Sequence, residues 1–456
     1  MKSKLAVRDN IIDKVSKNFD SEKGQVFSTE GEKDIVINPK EILPSSVFLV
    51  TRHYLNRFGG AERVLTNVAN GLSEAGFDVT ICCYDPGNEG GPFYDLSDCV
   101  HVLNLGVHKK PSKKPHKNTK ALGKKKAGRP IAHMFPFSVR TWFREHYRFL
   151  KALKRCLGAY RPGLVIAFQP NSTTEAIMAG NSLDIPVIAS FHNVPEQDFN
   201  NPERWDPNPW DRHLRKKILK KTAAVTVLLD EFKDWFPKKI RDKVHVIPNA
   251  VETSGPPASP GVNNDIGKNS ILALGRIAPA KDFFTLARAW AEIADDYPGW
   301  EVKLFGNGPL EKDLKRLVRE LKIQKSFHIF PKTKNIMTEY ETAKIFCIPS
   351  VFEGFGLVTA EALKKGLPAI GFADCPGTNT LIVNEFNGIL VDGGDRAPNL
   401  AEGLRKLIEN PSLREKLGAN GMESVEQYSR DNIMSRWLWL IDRFLETDKS
   451  KEGKAA

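Results

Sequence analysis

The sequence predicts an α/β protein of two Rossmann-like domains, and three observations support this fold class. The chain has 456 residues, which is too long for a single hydrophobic core. Short apolar runs alternate with helical periods along most of its length. A stretch rich in Pro, Gly, Ser and Asn, residues 252–270, interrupts this alternation, which then begins again. We expect the two halves to face each other across a cleft at the carboxyl ends of both sheets.

The first half begins with a strand, a glycine loop, a helix and a second strand. Residues 45–50, SSVFLV, form the first predicted strand, and a loop with Gly59 and Gly60 leads into a helix over 61–76. The strand FDVTICCY follows. This order opens a Rossmann-like half. Four later apolar runs are also predicted strands: 164–168, 186–191, 224–229 and 244–251.

The second half repeats the alternation after residue 270. Predicted strands lie at the starts of ILALGRI and EVKLFGNGP and in FHIF, IFCIPS, PAIGF and GILV. Helices are predicted over 283–297 and 310–323, and an amphipathic helix closes the chain. The resulting domain organisation is an extension at 1–44, a first domain at 45–252, a linker at 253–268, a second domain at 269–428 and a helix at 429–446 that packs on the first domain.

Composition excludes several classes of protein. At 41% hydrophobic residues the chain is ordinary globular material, and no apolar run reaches the roughly 18 residues that would span a bilayer. The first 20 residues are too polar for a signal peptide. The six cysteines are scattered and form no Cys-x-x-Cys pair, which argues against a zinc site or a disulfide framework. We therefore expect a cytoplasmic protein, with peripheral binding to the inner face of the membrane as a further expectation.

The net charge of +12 is concentrated in one basic loop, residues 107–130. Residues 109–129 carry ten Lys or Arg and no acidic residue, which leaves +2 for the rest of the chain. Two interpretations stay open: a solvated low-complexity segment, or a segment attracted to anionic lipid headgroups by about 1 kcal/mol per basic residue. No aromatic residue interrupts the run, so nucleic acid is not an expected partner.

Three stretches place glycines or cations where a strand ends and a helix begins, which is where a parallel sheet binds ligands. Gly59 and Gly60 could let the backbone approach a phosphate, or could form an ordinary tight turn. Arg276 and Lys281 could together neutralise a diphosphate, although basic residues after a strand are more often only solvated. Gly306, in FGNGP, is weak evidence by itself.

The stretch VFEGFGLVTAEAL, residues 351–363, carries two glutamates around a glycine turn. Its helix is predicted from Leu357, so Glu361 falls one turn into the helix and Glu353 lies before the turn. The glycines free backbone N–H groups at the helix N-terminus to hold phosphate, and the two carboxylates could flank one ligand. In the first half, His192 follows the strand PVIASF and is equally open to a structural or a functional interpretation.

Together these stretches resemble the family-4 retaining glycosyltransferases of the GT-B fold. The resemblance runs from about residue 46 to residue 445 and is carried by FGGAERV, SFHNVP, VHVIPNAVE, LALGRIAPAKDF, LFGNGPL and PSVFEGFGLVTAEALKKGLPAIGF, in the family's order. The specific signal is the glutamate pair with its seven-residue interval, joined to the Arg–Lys pair. The resemblance implies a hexosyltransferase that uses a nucleotide-sugar as substrate and needs no further cofactor. A UDP-sugar is expected because UDP is the commonest donor nucleotide in the family.

The resemblance also implies a role for each matching position. Arg276 and Lys281 would hold the donor diphosphate, and Glu361 would bind the ribose hydroxyls. Glu353 would meet hydroxyls of the donor sugar, and His192 would contact the transferred sugar from the first half. The backbone positions assigned to the donor are Gly59, Gly60, Gly306, Gly354, Phe355, Gly356, Leu357 and Val358.

The implied chemistry does not depend on a metal. No Asp-x-Asp motif occurs in the chain, so the Arg–Lys pair would take the place of a metal in stabilising the leaving diphosphate. The resemblance implies retention by front-face attack, in which a diphosphate oxygen accepts the acceptor's proton. Two departures from the family pattern occur. Asp282 stands where glycine is common, and residues 373–382 replace a glycine-rich stretch, so residues 375–379 could alter the choice of acceptor or sugar.

A basic amphipathic helix predicted over 138–157 bears on the acceptor. Four arginines form one stripe and six apolar residues another: Arg140, Arg144, Arg148 and Arg155, and Val139, Trp142, Phe143, Phe149, Leu150 and Leu153. Such a helix can lie in a membrane interface or can pack on its own domain. With the basic loop before it, we expect peripheral binding to anionic membranes through 107–157, and a lipid-linked or polysaccharide-precursor acceptor used in building the cell envelope.

Three alternative functions are weighed against this one. The first is an enzyme of the same fold with a different reaction. An epimerase would hydrolyse or isomerise the sugar nucleotide without an acceptor, whereas a phosphorylase would need phosphate. A dinucleotide oxidoreductase is disfavoured because neither half has a full G-x-G-x-x-G turn after its first strand. A non-catalytic sugar-nucleotide-binding protein is disfavoured because the motif set is intact.

Overall fold

The structure is a computed structural model that divides the chain into two compact units. It describes residues 43–452 except 87–89, 107–134, 203–207, 264–268 and 334. Unit 1 comprises Met1–Val227, Lys233–His245 and Trp437–Ala456, and unit 2 comprises Leu228–Phe232 and Val246–Arg436. The predicted extension lies outside the described residues except for positions 43 and 44, and the basic loop 107–130 lies wholly outside them.

Unit 1 is built on a seven-stranded sheet in the order β3-β2-β1-β4-β5-β6-β7. Its strands are β1 Leu43–Val50, β2 Asp78–Cys83, β3 His101–Asn104, β4 Pro162–Phe168, β5 Val187–Ser190, β6 Ala224–Val227 and β7 Val244–Val246. The pairings from β3 through β6 are parallel. Because the chain runs outward from β1 to β3 and then crosses back to β4, the strand order reverses between β1 and β4. Sheets of this kind bind ligands at the carboxyl ends of strands at such a reversal.

In the described part of unit 1, six α-helices connect the strands: α1 Gly60–Glu74, α2 Phe135–Tyr160, α3 Pro170–Asn181, α4 Pro195–Phe199, α5 Pro209–Ile218 and α6 Lys238–Arg241. In α1 the apolar residues Val64, Leu65, Val68 and Leu72 recur at helical spacing and are all buried. The helix ends at a left-handed glycine, Gly76, with φ of +91°. Helix α3 and strand β3 have no counterpart in the sequence prediction, and the predicted strand over 244–251 is only three residues long.

Helix α2 uses its apolar stripe inside unit 1. Trp142, Phe149 and Leu153 are at most 1% exposed, and the helix packs on α3. Phe143 is instead 50% exposed, as is Tyr147 one turn later. Of the two alternatives that the sequence left open, packing on its own domain therefore holds for these three residues, and membrane binding stays a prediction. The side chains of Val139, Arg140 and Arg144 lie outside the described residues.

Unit 2 is built on a six-stranded sheet in the order β10-β9-β8-β11-β12-β13. Its strands are β8 Asn269–Leu274, β9 Trp300–Phe305, β10 Phe327–Phe330, β11 Ile345–Ile348, β12 Ala369–Phe372 and β13 Gly388–Val391. All five pairings are parallel, and the strand order reverses between β8 and β11. The fold class predicted from the sequence, two parallel α/β sheets of Rossmann type, is confirmed.

The helices that follow in the chain are α7 Phe283–Ile293, α8 Glu311–Glu320, α9 Ile336–Thr342, α10 Leu357–Lys364, α11 Thr378–Leu381, α12 Arg396–Glu409, α13 Pro411–Ser424 and α14 Arg430–Glu452. Helix α7 ends four residues before the predicted helix 283–297 does. Its Trp290 is fully buried in the core of unit 2. Residues of α14 from Trp437 onward belong to unit 1, where the Trp437 ring lies 6.3 Å from that of Phe168. In the part of the chain that the structure describes, no helix is long and apolar enough to cross a bilayer.

Two buried cationic side chains of unit 2 form hydrogen bonds to the backbone of the predicted linker. Lys365 donates to the carbonyl oxygen of Ser254 at 2.7 Å, and Arg414 donates to that of Pro260 at 2.6 Å. Burial lowers the pKa of Arg414 to about 10. Since these side chains bond to its backbone, the described part of residues 253–268 is an integral part of unit 2 rather than a free connector.

Candidate functional site

Two of the predicted segments meet where the strand order of unit 2 reverses. Arg276 and Lys281 follow β8, Glu353 follows β11, and these strands are direct neighbours, with Ile271 opposite Ile345. The backbone N–H of Val351 donates to the carbonyl oxygen of Ala280 at 2.9 Å, which holds the two segments together. The sheet therefore brings together cations and a carboxylate that the sequence separates by about 70 positions.

The centre of this region is an ion pair between Lys281 and Glu353. The Lys281 Nζ contacts Oε1 of Glu353, and the Ser350 hydroxyl donates to the same oxygen at 2.6 Å. Glu353 is 8% exposed. A carboxylate so far from water needs a cation and hydrogen bonds to balance the lost hydration. Arg276 is exposed at the edge of the region.

The second glutamate lies on the helix, as predicted. Helix α10 begins at Leu357, so Glu361 lies one turn into it. Its Oε2 lies 2.9 Å from the hydroxyl of Tyr340, a buried residue of α9. That hydroxyl also lies 3.1 Å from the carbonyl oxygen of Val358. Sequence reasoning missed Tyr340, because nothing local marks a tyrosine on a neighbouring helix as a partner of Glu361.

The glycine turn directly precedes α10. Gly356 precedes the helix with φ of +84°, a left-handed conformation that glycine adopts without steric cost. The first N–H groups of a helix have no intrahelical acceptor, so those of Leu357 and Val358 are suited to an anion. Phe355 is buried and packs edge-on against Tyr428, with ring centroids 5.1 Å apart. Its side chain anchors the turn, so any contact with a ligand from Phe355 would come from its backbone.

The segment that departs from the family pattern touches Glu353 directly. The N–H of Glu353 donates to the carbonyl oxygen of Pro376 at 3.0 Å. Gly377 has φ of +80°, and a Cβ there would lie 2.7 Å from the carbonyl oxygen of Glu353. Burial raises the pKa of the Cys375 thiol to about 11, so this cysteine stays protonated. Pro376 and Gly377 of the segment 375–379 thus lie against the backbone of Glu353.

Gly306 has a structural role at the neighbouring loop. A Cβ at this position would lie 1.9 Å from the carbonyl oxygen of Gly275, so only glycine permits the close approach of the two loops. Its N–H donates to the carbonyl oxygen of Phe330 at 3.0 Å, which extends the sheet. The role of Gly306 in binding a donor stays a prediction.

In unit 1, His192 follows β5. Its ring stacks on Phe168 with centroids 4.9 Å apart, and Nε2 lies 2.9 Å from the Ser190 hydroxyl. The predicted glycines lie at the start of α1, where Gly60 is the first residue and the carbonyl oxygen of Gly59 accepts from Tyr94. Gly59 has an extended backbone, and a Cβ there would lie 2.3 Å from Oε2 of Glu62.

Sequence reasoning missed a cavity of about 700 Å³ in unit 1. It opens at the reversal between β1 and β4 and is lined mainly by polar side chains: Arg52, His53, Arg57, Glu62, Tyr84, Pro86, Glu145, His146, Gln169, Asn171, Asp211 and Arg215. Gln169, at the end of β4, has φ of +66°, and strained backbone of this kind concentrates at functional sites. The triplet TRH directly after the first predicted strand was the signal that could have pointed here.

Some of the lining side chains pair with buried carboxylates next to this cavity. His146 Nδ1 lies 2.7 Å from Oε1 of the buried Glu175, and Arg52 lies 3.5 Å from the same oxygen. His53 Nδ1 lies 2.9 Å from Oδ1 of Asp85. Burial raises the pKa of the Asp85 carboxyl, but hydrogen bonds from His53 and from the N–H groups of Tyr54 and Leu55 outweigh it and hold the pKa below its ordinary value.

Both halves of the chain match families of sugar-transferring enzymes. Residues 58–254 match the family described as Glycosyltransferase Family 4, and residues 259–424 match Glycosyl transferases group 1. An uncharacterized glycosyltransferase of Haemophilus influenzae is 26% identical over 388 residues, which are 84% of this chain and 96% of that protein. A Campylobacter jejuni protein is 25% identical over 385 residues, 84% of this chain and 95% of its own length. It is named GalNAc-alpha-(1->4)-GalNAc-alpha-(1->3)-diNAcBac-PP-undecaprenol alpha-1,4-N-acetyl-D-galactosaminyltransferase.

Solved structures show the same fold. Sucrose-phosphate synthase from Thermosynechococcus elongatus has a TM-score of 0.69 at 19% identity, over 88% of this chain and 100% of that one. A TarM variant from S. aureus, solved with fondaparinux, alpha-GlcNAc-glycerol and UDP, has a TM-score of 0.66 at 12% identity, over 87% of this chain and 100% of that one. With a family match in each half, full-length relatives that are glycosyltransferases and this fold, the chain is a GT-B glycosyltransferase similar to family 4.

Proposed function

We propose that this glycosyltransferase moves a sugar from a nucleotide-sugar, a UDP-sugar in the first instance, to a lipid-linked or polysaccharide-precursor acceptor. The observation that carries the donor half is the contact between Lys281 and Glu353 beside the glycine turn, at the strand reversal of unit 2. The UDP in the TarM structure and the undecaprenol-linked substrate in the name of the C. jejuni relative support the choice of donor and acceptor.

The donor would lie along the segments that follow β8 and β11. Lys281 and Arg276 would meet the diphosphate together with the first N–H groups of α10. Glu361, which Tyr340 orients, would accept hydrogen bonds from the ribose hydroxyls. Glu353 would bind hydroxyls of the sugar, since its carboxylate is an acceptor of hydrogen bonds fixed by Ser350.

The chemistry follows from where charge develops. The bond between the anomeric carbon and the diphosphate oxygen breaks, which leaves positive charge on the carbon and negative charge on the diphosphate. Lys281 and Arg276 stabilise the leaving group in place of a metal ion. The acceptor hydroxyl attacks from the face that the diphosphate leaves, and its proton passes to a diphosphate oxygen. The new bond therefore keeps the anomeric configuration, and Glu353 orients the sugar without becoming a nucleophile.

Unit 1 would supply the acceptor site. The polar cavity at its strand reversal is suited to a ligand rich in hydroxyls, because its lining offers both hydrogen-bond donors and acceptors. The exposed aromatic residues of α2, Phe143 and Tyr147, lie beside the exposed cations Lys151 and Lys154. We propose that this face binds the headgroup region of an anionic membrane, which is a smaller surface than the sequence predicted.

The test is release of nucleoside diphosphate from a panel of sugar nucleotides, with and without candidate acceptors. K281A and E353A should each lower the rate at least about a hundredfold, the scale seen when a group that stabilises developing charge is removed. K303A is the control, because Lys303 lies in β9 of the same unit and pairs with Glu301 at 3.7 Å. Turnover that is unchanged in both K281A and E353A would reject the proposed site. The anomeric proton of the product, observed by NMR, tests retention.

A further inference from the structure

Unit 2 contains a second charged group next to the Lys281–Glu353 pair. Arg396, the first residue of α12, donates from Nε to Oδ2 of Asp282 at 3.2 Å. Its Nη2 donates to the backbone carbonyl oxygens of Pro349 and Ser350, at 2.8 and 3.1 Å. One guanidinium thus bonds to the segment after β8 and to the segment after β11.

The surroundings of Arg396 restrict its guanidinium to this position. The guanidinium carbon lies 3.6 Å from the centroid of the Phe372 ring, so one face of the group is covered by an aromatic residue. The side chain is 20% exposed. A planar group with a fixed fork of donors, stacked on a ring, keeps its geometry better than a lysine could.

Asp282, the carboxylate partner of Arg396, also bonds to the start of α7. It has a left-handed backbone, with φ of +44°, at a position that favours glycine. Its carboxylate accepts from the Thr285 hydroxyl at 2.7 Å and caps α7, and the same oxygen meets Arg396. Glycine would satisfy the backbone here but would supply no carboxylate, so the aspartate is explained by its side-chain bonds.

Two of the partners of Arg396, Asp282 and Ser350, lie close in the chain to the two residues of the proposed donor site; a further bond runs from its Nη1 to Oδ1 of Asp374 at 3.4 Å. Asp282 follows Lys281 directly, and Ser350 donates its hydroxyl to Glu353. The same two segments are joined by the hydrogen bond from the Val351 N–H to Ala280. Arg396 is therefore placed to hold Lys281 and Glu353 in register with each other.

We infer that Arg396 and Asp282 form a positioning pair that sets the distance between Lys281 and Glu353 for catalysis. Neither residue is a catalytic residue in this role, since each acts through the backbone next to a residue of the donor site. The expected effect on turnover rests on the proposed function, whereas the expected effect on the two segments does not. A misplacement of about 1 Å in such a site can cost a hundredfold in rate.

The experiment compares R396M and R396K with R405M. Arg405 is a matched control, because it lies on the same helix, pairs with Asp296 at 2.8 Å and lies over the ring of Tyr297, away from the donor segments. Two quantities are measured well below the melting temperature of each variant: hydrogen exchange at the Val351 amide, and kcat and KM for the donor. D282N and the double variant D282N/R396M complete a double-mutant cycle, which measures the coupling between Asp282 and Arg396.

In R396M we expect exchange at Val351 to accelerate at least about tenfold and kcat to fall about tenfold to a hundredfold, with KM for the donor changed less. R405M should match the wild type in exchange at Val351 and in kcat. The double variant should show no faster exchange and no lower kcat than R396M. R396K, which keeps the charge but loses the fork, should lie between R396M and the wild type. Unchanged exchange at Val351 in R396M, or accelerated exchange with kcat within twofold of the wild type, overturns the inference. A wild-type protein that turns over no sugar nucleotide would instead contradict the proposed function, and the exchange measurement would still decide whether Arg396 holds the two segments.

Discussion

The Nζ of Lys281 contacts Oε1 of Glu353, a residue 72 positions further along the chain. The two side chains were predicted to bind different parts of a donor, and the structure pairs them with each other. In the proposed function, a diphosphate bound at Lys281 would compete with the Glu353 carboxylate for the same ammonium group. Single and double variants of Lys281 and Glu353 can therefore measure the effect of this ion pair on the free energy of unfolding separately from its effect on turnover.

Loss of the lysine alone should destabilise the protein. In K281M the buried Glu353 carboxylate keeps only the Ser350 hydroxyl, and an unsatisfied buried acceptor costs about 1–3 kcal/mol. The double variant K281M/E353Q should recover most of this loss, because no unpaired charge remains. Urea unfolding measures the free energies, with K303M as the control. A double variant as unstable as K281M would show that the ion pair is not the cause.

Gly377 should be intolerant of a side chain for a reason beyond its backbone angle. In G377A the new Cβ would meet the carbonyl oxygen of Glu353 at 2.7 Å and displace it, so we expect at least a tenfold loss of turnover. G366A is the control: Gly366 has φ of +78°, but the nearest atom to its Cβ would be in the flexible Met422 side chain, at the ordinary contact distance of 3.5 Å. Both variants should lose about 1–2 kcal/mol of stability from the left-handed backbone, and only G377A should lose activity. Equal activities would contradict the prediction.

Tyr340 should affect binding of the donor. In Y340F the Glu361 carboxylate loses a buried hydrogen bond worth about 1 kcal/mol, which corresponds to roughly a fivefold change in KM for the donor. The value of kcat should change less, since the ribose is remote from the reacting bond. Y297F removes a tyrosine–glutamate bond on the surface of the same unit and serves as the control. A larger effect on kcat than on KM would place Tyr340 in another role.

Asp85 should contribute stability that is lost in acid. Its folded-state pKa lies below the ordinary value of an aspartate, so the unfolded chain binds protons more readily and stability falls as the pH drops toward the folded-state pKa. The contribution is fully present above about pH 5. D85N should therefore be less stable than the wild type at pH 7 and should lose less stability between pH 5 and pH 3. D234N, at an exposed ion pair with Arg241, is the control. Parallel pH profiles of unfolding for the wild type and D85N would refute this.

The exposed face of α2 should govern membrane binding. Phe143 and Tyr147 are each 50% exposed, so F143S/Y147S should reduce flotation with anionic vesicles without disturbing the core. K151E/K154E should weaken binding at least about tenfold at low salt, since each lysine near such a surface contributes about 1 kcal/mol. V262S, a change at an exposed apolar residue of unit 2, should have no effect. Wild-type protein that stays out of the lipid fraction at low salt would remove the membrane from the proposed function.

Local patterns in the sequence determined the fold class, the two parallel sheets and the start of α10, because alternation of apolar runs and left-handed glycines act over a few residues. The same patterns placed Glu361 on the helix and Glu353 before it. They could not show that Lys281 contacts Glu353, that Tyr340 faces Glu361 or that a polar cavity opens beside Gln169. Those relationships arise where the strand order reverses, which brings residues from distant segments to one edge of a sheet. Only tertiary packing decided that Trp142, Phe149 and Leu153 belong to the core, since a helical period marks an apolar stripe but not the surface that covers it.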